Sequence, residues 1–339
     1  MKTKKEKIVV ACFFLVFALT SQPLLVFGAE KATAAEPVVL KLVGFKDKVS
    51  LFRDETVGLL VDKVEKRSKG QLIINFAGGP ETMKPFDMGM GVKRGVFHMA
   101  SLPASFYIPL VPGAELLIAS EHTPKEEREA GVYDFLSDMH KKAGLFYLGR
   151  ASAINEPEFL LSSTKLVKKP EDMAGLRIAA MAPGPAPAIT ALGSVFSVVP
   201  LPQQYMSIQK GVIDGIATTR KTYVSMSLTE VIKNVIDHAF FVGMATTIMN
   251  LDTWNNLPKN LQELLMQCQK EAEYEHAAKE TAHQSELEQK MKAAGVNFIR
   301  FSPSDAESYL ETIHAGFWKA NIKRYPEAGP KLMNLLRKK

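Results

Sequence analysis

Apolar residues recur along the chain in short runs separated by longer amphipathic stretches, a pattern that predicts strands alternating with helices. Val38 to Phe45 (VVLKLVGF) predicts a first strand. Phe52 to Arg67 places Leu59, Leu60 and Val64 on one helical face, Ser68-Lys69-Gly70 ends that helix, and Gln71 to Phe76 predicts a second strand. A short helix is expected between Pro80 and Gly95, then a buried-type run from Val96 to Leu102. The loop Pro103 to Pro109 lies at that strand's carboxyl end, where open α/β sheets take ligands. Lys125 to Lys142 reads as a helix and Leu145 to Leu148 as a strand. The chain is expected to change lobe near Asn155-Glu156-Pro157.

Between Lys168 and Gly215 the alternation tightens. Leu176-Arg177-Ile178 predicts a strand, Pro185 to Leu192 a helix with its stop at Gly193, and Val195 to Val199 a strand buried on both faces. Pro202 opens a helix with apolar positions at Tyr205, Ile208 and Val212. The chain continues through Tyr223 to Ile236 and returns towards the first lobe near Phe240 to Leu251. Leu257-Pro258 then opens a polar, charge-rich helix to about Ala294, which at ~1.5 Å per residue would exceed about 50 Å and cross both lobes. Asn297 to Phe301 and Ser304 to Tyr325 predict a late strand and a last helix. The expected class is α/β with mixed, mostly parallel sheets. Lobe I takes residues 36–155 and about 243–280, lobe II takes 156–242 and about 281–325, and 326–339 form a C-terminal tail.

The amino end changes how composition is read. Lys2, Lys4, Lys5 and Lys7 precede an apolar core from Ile8 to Thr20, and Ala32-Thr33-Ala34 offers a cleavable small-x-small site. Residues 1–34 are expected to be a signal peptide and the mature protein to be periplasmic. Five lysines and two glutamates leave with it, so a net charge of +6 falls to +3. No basic cluster interleaved with aromatics remains, which argues against nucleic acid as a partner. Cys12 leaves with the signal and Cys268 stays alone, so no internal disulfide is expected.

Catalytic and metal chemistry find little support. His276, Glu280 and His283 share a helix face, but Glu271, Glu273, Glu275 and Lys279 around them point to a solvated face and no metal. Gly89, Gly91 and Gly95 miss the dinucleotide spacing, and no nucleophile elbow is present. Neither an enzyme nor a cofactor is expected.

The segment Lys169-Pro170-Glu171-Asp172-Met173-Ala174-Gly175-Leu176-Arg177-Ile178, followed by Leu192-Gly193, Gln204-Tyr205 and Gly211-Val212-Ile213-Asp214-Gly215, resembles the second lobe of TRAP-transporter solute-binding proteins of the DctP type. The resemblance implies the two-lobed periplasmic binding protein fold, with a long helix bridging the lobes and closure on a small organic solute. It also implies a monomer that delivers the solute to membrane permease subunits, or alternatively reports to a membrane sensor kinase.

In that family an arginine follows Leu-x-Ile and forks onto the ligand carboxylate; here the position is Ala179, and Arg177 lies two places earlier. A second family arginine falls on Glu158, an asparagine on Thr218 and an aromatic on Leu201, while Tyr205 is kept. Three readings stay open. Arg177 takes over as the anion clamp; or Glu158 faces the cleft and pairs with the amine of a cationic or zwitterionic ligand, if it does not form a surface salt bridge with Lys168 or Lys169; or the site is mostly apolar, built from Ala179, Met181, Pro183, Leu201, Phe45 and Tyr107, and takes an aromatic or weakly polar acid. Arg150 and Arg220 remain available, and an organic acid is the expected ligand.

Overall fold

Two β-sheets, joined by hydrogen-bonded crossings and two long helices, organise the chain in a computed structural model that describes residues 36–243 and 245–338. The expected signal segment lies outside the described residues.

From the amino end run β1 (Val38–Gly44), α1 (Lys48–Asp54), α2 (Thr56–Ser68), β2 (Leu72–Gly78), α3 (Pro85–Lys93), β3 (Met99–Pro103), α4 (Pro124–Glu129), α5 (Val132–Lys142) and β4 (Leu145–Arg150). There follow β5 (Phe159–Ser163), β6 (Arg177–Ala180), α6 (Ala186–Ala191), β7 (Val195–Val198), α7 (Leu201–Gln209), β8 (Gly215–Thr219), α8 (Arg220–Ser225) and β9 (Asn234–Ile236). The chain closes with β10 (Ala245–Asn250), α9 (Leu251–Asn256), α10 (Lys259–Ala293), β11 (Asn297–Ile299), α11 (Pro303–Arg324) and α12 (Ala328–Leu336).

Lobe I is built on a sheet of order β2-β1-β3-β10-β4, in which β10 runs antiparallel to both β3 and β4. Lobe II is built on a sheet of order β11-β9-β5-β8-β6-β7, in which β5 runs antiparallel to β8 and β9. Each lobe thus takes one strand that arrives against the parallel direction, because the chain crosses between lobes at 151–158 and again from 237 to 243. The two crossings run side by side: the Glu158 and Phe159 amides donate to the Phe241 carbonyl at 2.8 and 3.0 Å, and the Ala151 amide to the Ala245 carbonyl at 2.8 Å.

Several local expectations are corrected. The helix expected over Phe52 to Arg67 is two helices, broken at Glu55, which is extended (φ −126°, ψ 169°). Thr56 fixes the break, its amide donating to the Ala151 carbonyl at 2.7 Å and its hydroxyl to the Arg150 carbonyl at 3.0 Å. The helix expected over Lys125 to Lys142 divides at Gly131, whose positive φ of 81° suits glycine. β7 is an edge strand, not one buried on both faces, and its position at the end of the sheet order leaves Val195 58% exposed. His276 and Glu280 are buried rather than solvated, because α10 lies across the junction of the lobes. The tail is folded too: α12 packs against α5 and residues 114–119, burying Leu332 and Leu336.

α10 covers one side of the molecule, from α2 in lobe I to α8 in lobe II. α11 covers another, packing closely on α6, where a Cβ at Gly316 would collide with Ala191. One apolar core therefore runs through both lobes, with Phe241 of the second crossing edge-on to Phe317 of α11 at 4.8 Å. No helix of the described residues is long and apolar enough to cross a membrane.

Because Leu332 is fully buried, Leu332→Ala is expected to lower the unfolding free energy by about 3 kcal/mol, read from the urea midpoint. A loss below about 0.5 kcal/mol would show that α12 is not part of the cooperative fold.

Candidate functional site

The carboxyl end of β1, the break between α1 and α2, the first crossing, the start of α8 and the middle of α10 all meet between the lobes, and each brings a charge. Lys46 lies two residues beyond the end of β1. Its ammonium sits 5.0 Å from the centre of the Phe45 ring and donates to Glu55 Oε1 at 2.6 Å. Burial works against that charge, but Glu55 outweighs it and holds the lysine above its ordinary pKa.

Breaking the helix at Glu55 frees the Asp54 carbonyl. It accepts from Lys221 Nζ of lobe II at 3.0 Å and lies 3.0 Å from His276 Nε2 of α10. His276 Nδ1 lies 2.7 Å from the Ala153 carbonyl, so the imidazole spans the start of the first crossing and the helix break. Lys221 also pairs with Glu280 at 2.7 Å, while the Asp54 carboxylate turns outward to Arg53 Nε at 2.6 Å.

Glu158 lies among these groups and is 5% exposed. Its side chain makes no hydrogen bond among the described residues. Burial pushes its carboxyl up to about 7, with Lys221 and Lys46 opposing that rise and Glu280 and Glu55 adding to it. Gly243 of the second crossing lies against it: a Cβ there would meet Glu158 Oε1 at 2.8 Å and collide with Ser152.

Two recesses flank Glu280. One of about 250 Å³ is lined by Asn155, Glu156, Arg220 and Gln284, and one of about 360 Å³ by Phe52, Glu55, Leu59 and His276.

Of the residues singled out from sequence, Glu158, Arg220 and Phe45 come to this junction. Arg220 donates to Asp237 at 2.9 Å, and Asp237 takes Arg300 on its other oxygen. Met181 follows β6 directly and packs on the same apolar cluster as Phe45. Thr218 is buried on β8, paired with Leu160 of β5.

The others lie elsewhere. Arg177 is at the amino end of β6, where it forks onto Asp214 at 2.9 and 3.0 Å and holds that carboxyl well below the usual range. Tyr107 is buried within lobe I, its hydroxyl bonded to Thr246 at 2.8 Å and His140 at 3.0 Å; burial raises its pKa. Tyr205 is on the surface of α7, donating to Glu230 at 2.7 Å, with Leu201 at the first position of the same helix. Arg150 is fully buried, paired with Glu127, and donates to the Gly243 carbonyl at 2.6 Å, which makes it a brace for the crossings. Burial also rules out a surface salt bridge from Glu158 to Lys168 or Lys169, whose amides cap onto Asp172.

Sequence reasoning missed Lys46, Glu55 and Lys221. The available signal was position: Lys46 directly follows a predicted strand, at the end where ligands approach. Among the described residues no cluster suited to a metal ion is present.

A family model for bacterial extracellular solute-binding proteins, family 7 (DctP), matches residues 53–320. A solute-binding protein of Albidiferax ferrireducens is 24% identical over 300 residues, covering 85% of this chain and 86% of the relative. Among solved structures, DctP7 of Bordetella pertussis, an extracytoplasmic solute receptor binding pyroglutamic acid, is 19% identical with a TM-score of 0.76, covering 89% of this chain and 100% of its own. A TRAP periplasmic solute-binding protein of Desulfovibrio salexigens with bound orotic acid is 17% identical with a TM-score of 0.78, covering 88% and 97%.

Two outcomes follow from this geometry. Unfolded Glu158 releases its proton near the ordinary 4.5 and folded Glu158 only near about 7. Its contribution to stability is therefore present below pH 4.5 and lost as pH rises to about 7, a change of about 3 kcal/mol. Urea unfolding of Glu158→Gln should lack that decline, and parallel curves for the two proteins would refute it. Arg177→Ala, remote from the junction, should leave solute affinity within about twofold by calorimetry; loss of binding would put Arg177 back in the site.

Proposed function

Because this chain belongs to family 7 of the bacterial extracellular solute-binding proteins, we propose that it captures a small organic acid between its lobes and delivers it to TRAP-type permease subunits. It works as a periplasmic monomer after removal of residues 1–34, and it releases its solute unchanged. The solutes named for the Bordetella and Desulfovibrio proteins both carry a carboxyl group, which supports an acid here.

The observation that carries the reading is that lysines of opposite lobes converge on Asp54-Glu55. An ammonium has three donors. Lys221 uses one on the Asp54 carbonyl and lies 2.7 Å from Glu280 as an ion pair, and Lys46 uses one on Glu55. Each keeps at least one donor for an incoming carboxylate. A solute held from both lobes stabilises the closed arrangement over the open one, which is a population shift about the crossings. The Phe45, Phe106 and Met181 side chains supply an apolar wall, Phe45 and Phe106 packing edge-on at 6.4 Å. Phe86 stands beside Phe106 at 4.5 Å and is half exposed.

A thermal-shift screen of residues 35–339 against mono- and dicarboxylates should find a ligand; at a thousandfold excess over Kd it adds about 4 kcal/mol. Lys221→Met should then weaken that ligand about 10- to 100-fold, the loss expected for one charged hydrogen bond. Undiminished binding by the variant would place the solute away from the junction.

A further inference from the structure

Pairing at the junction leaves one carboxyl over, and that carboxyl selects among acids. Lobe I contributes Lys46 and Glu55, with Asp54 paired to Arg53; lobe II contributes Lys221 and Glu158, with Asp237 shared by Arg220 and Arg300; α10 contributes Glu280 and His276. The two lysines already face one carboxylate each, Glu55 at 2.6 Å and Glu280 at 2.7 Å. Glu158 is left as a third carboxyl, 5% exposed, that makes no hydrogen bond or ion pair among the described residues. Its backbone is fixed by the Phe241 carbonyl, and its carboxylate lies against Gly243 of the second crossing. An unpartnered buried carboxylate is costly, and the usual remedy is a donor from elsewhere.

A plain carboxylate solute would add a fourth anion beside Glu158. A solute that also carries an ammonium gives the free lysine donors an acceptor and gives Glu158 a cation. We infer that Glu158 makes this protein a receptor for zwitterionic acids, with the solute's carboxylate on Lys46 and Lys221 and its ammonium on Glu158. This inference rests on the reading of the junction as the solute site. His276 takes no part in it, since both ring nitrogens face backbone carbonyls.

The test is calorimetry at pH 8, where Glu158 is ionised, with amino acids matched against the same acids lacking the amine (alanine against propionate, leucine against 4-methylpentanoate, phenylalanine against 3-phenylpropionate) and against the amines lacking the acid (ethylamine, isopentylamine, phenethylamine). The parent should prefer the amino acid at least tenfold in the pair that fits. Glu158→Gln should bring that ratio close to one, and Glu158→Asp, which keeps the charge, should restore part of it. Unliganded melting curves of both variants identify any that fail to fold. Preference of the parent for the plain acid, or an unchanged ratio in Glu158→Gln, would overturn the inference and leave the acid-binding reading standing. Binding of simple amines but of no acid would overturn the acid-binding reading and keep the role of Glu158. Binding of neither would overturn both.

Discussion

The backbone carbonyl of Asp54 is the point on which the arrangement of the lobes depends. It is free because the chain leaves helical geometry at Glu55, so no residue four positions on takes it within a helix. A buried carbonyl without a donor is unfavourable, and here its partners come from other parts of the molecule: Lys221 from lobe II and His276 from the bridging helix. One local irregularity thus ties three bodies together. The same irregularity aims Glu55 at Lys46 and brings the start of α2 onto the first crossing through Thr56.

Around that point charges are buried in pairs, with helix α10 as the common support. Its mean character is polar, yet Gln269, Glu273, His276 and Glu280 are all buried, because the helix lies over crossings whose carbonyls and amides need partners. Gln269 donates to the Arg150 carbonyl at 2.7 Å and Glu273 accepts the Arg150 amide at 2.8 Å. The Arg150 guanidinium, paired with Glu127, then secures the second crossing at Gly243. Arginine is thus used to brace the crossings, and lysine is the cation of the proposed solute site. Lysine is a compact charge with rotatable donors, better suited than a planar fork to a site that must make and release contacts as the lobes move.

Opposite the polar helix, α11 and α12 fasten the lobes with apolar surface. Phe317 and Tyr309 lie in the core that continues through Phe241 of the second crossing, so the hinge has an apolar face and a polar one. The polar face is where binding can bias the equilibrium, since the exposed recesses and the free lysine donors are there.

Much of the fold was legible from the sequence because it rests on local pattern: short β-branched runs such as Val38 to Phe45 favour strands, and the charge-rich stretch from Lys259 to Ala293 is one helix. The motif pieces around Gly175 and Asp214 were also legible, and their pairing explains them, since Arg177 and Asp214 lock the amino end of β6. The burial of Glu158 was not legible, nor was the role of its neighbours, because Lys46, Lys221 and Glu280 are far apart in the chain and look like ordinary surface charges. His276 and Glu280 read as solvated for the same reason, their spacing carrying no trace of what covers them. Sequence alone therefore determined most of the elements, the two-lobed class and the family, which follow from periodicity and contiguous motifs, but not the helix breaks at Glu55 and Gly131. Only the tertiary structure decided which charges meet, because electrostatic pairing depends on distance through space, and a helix break at one residue sets those distances for the whole junction.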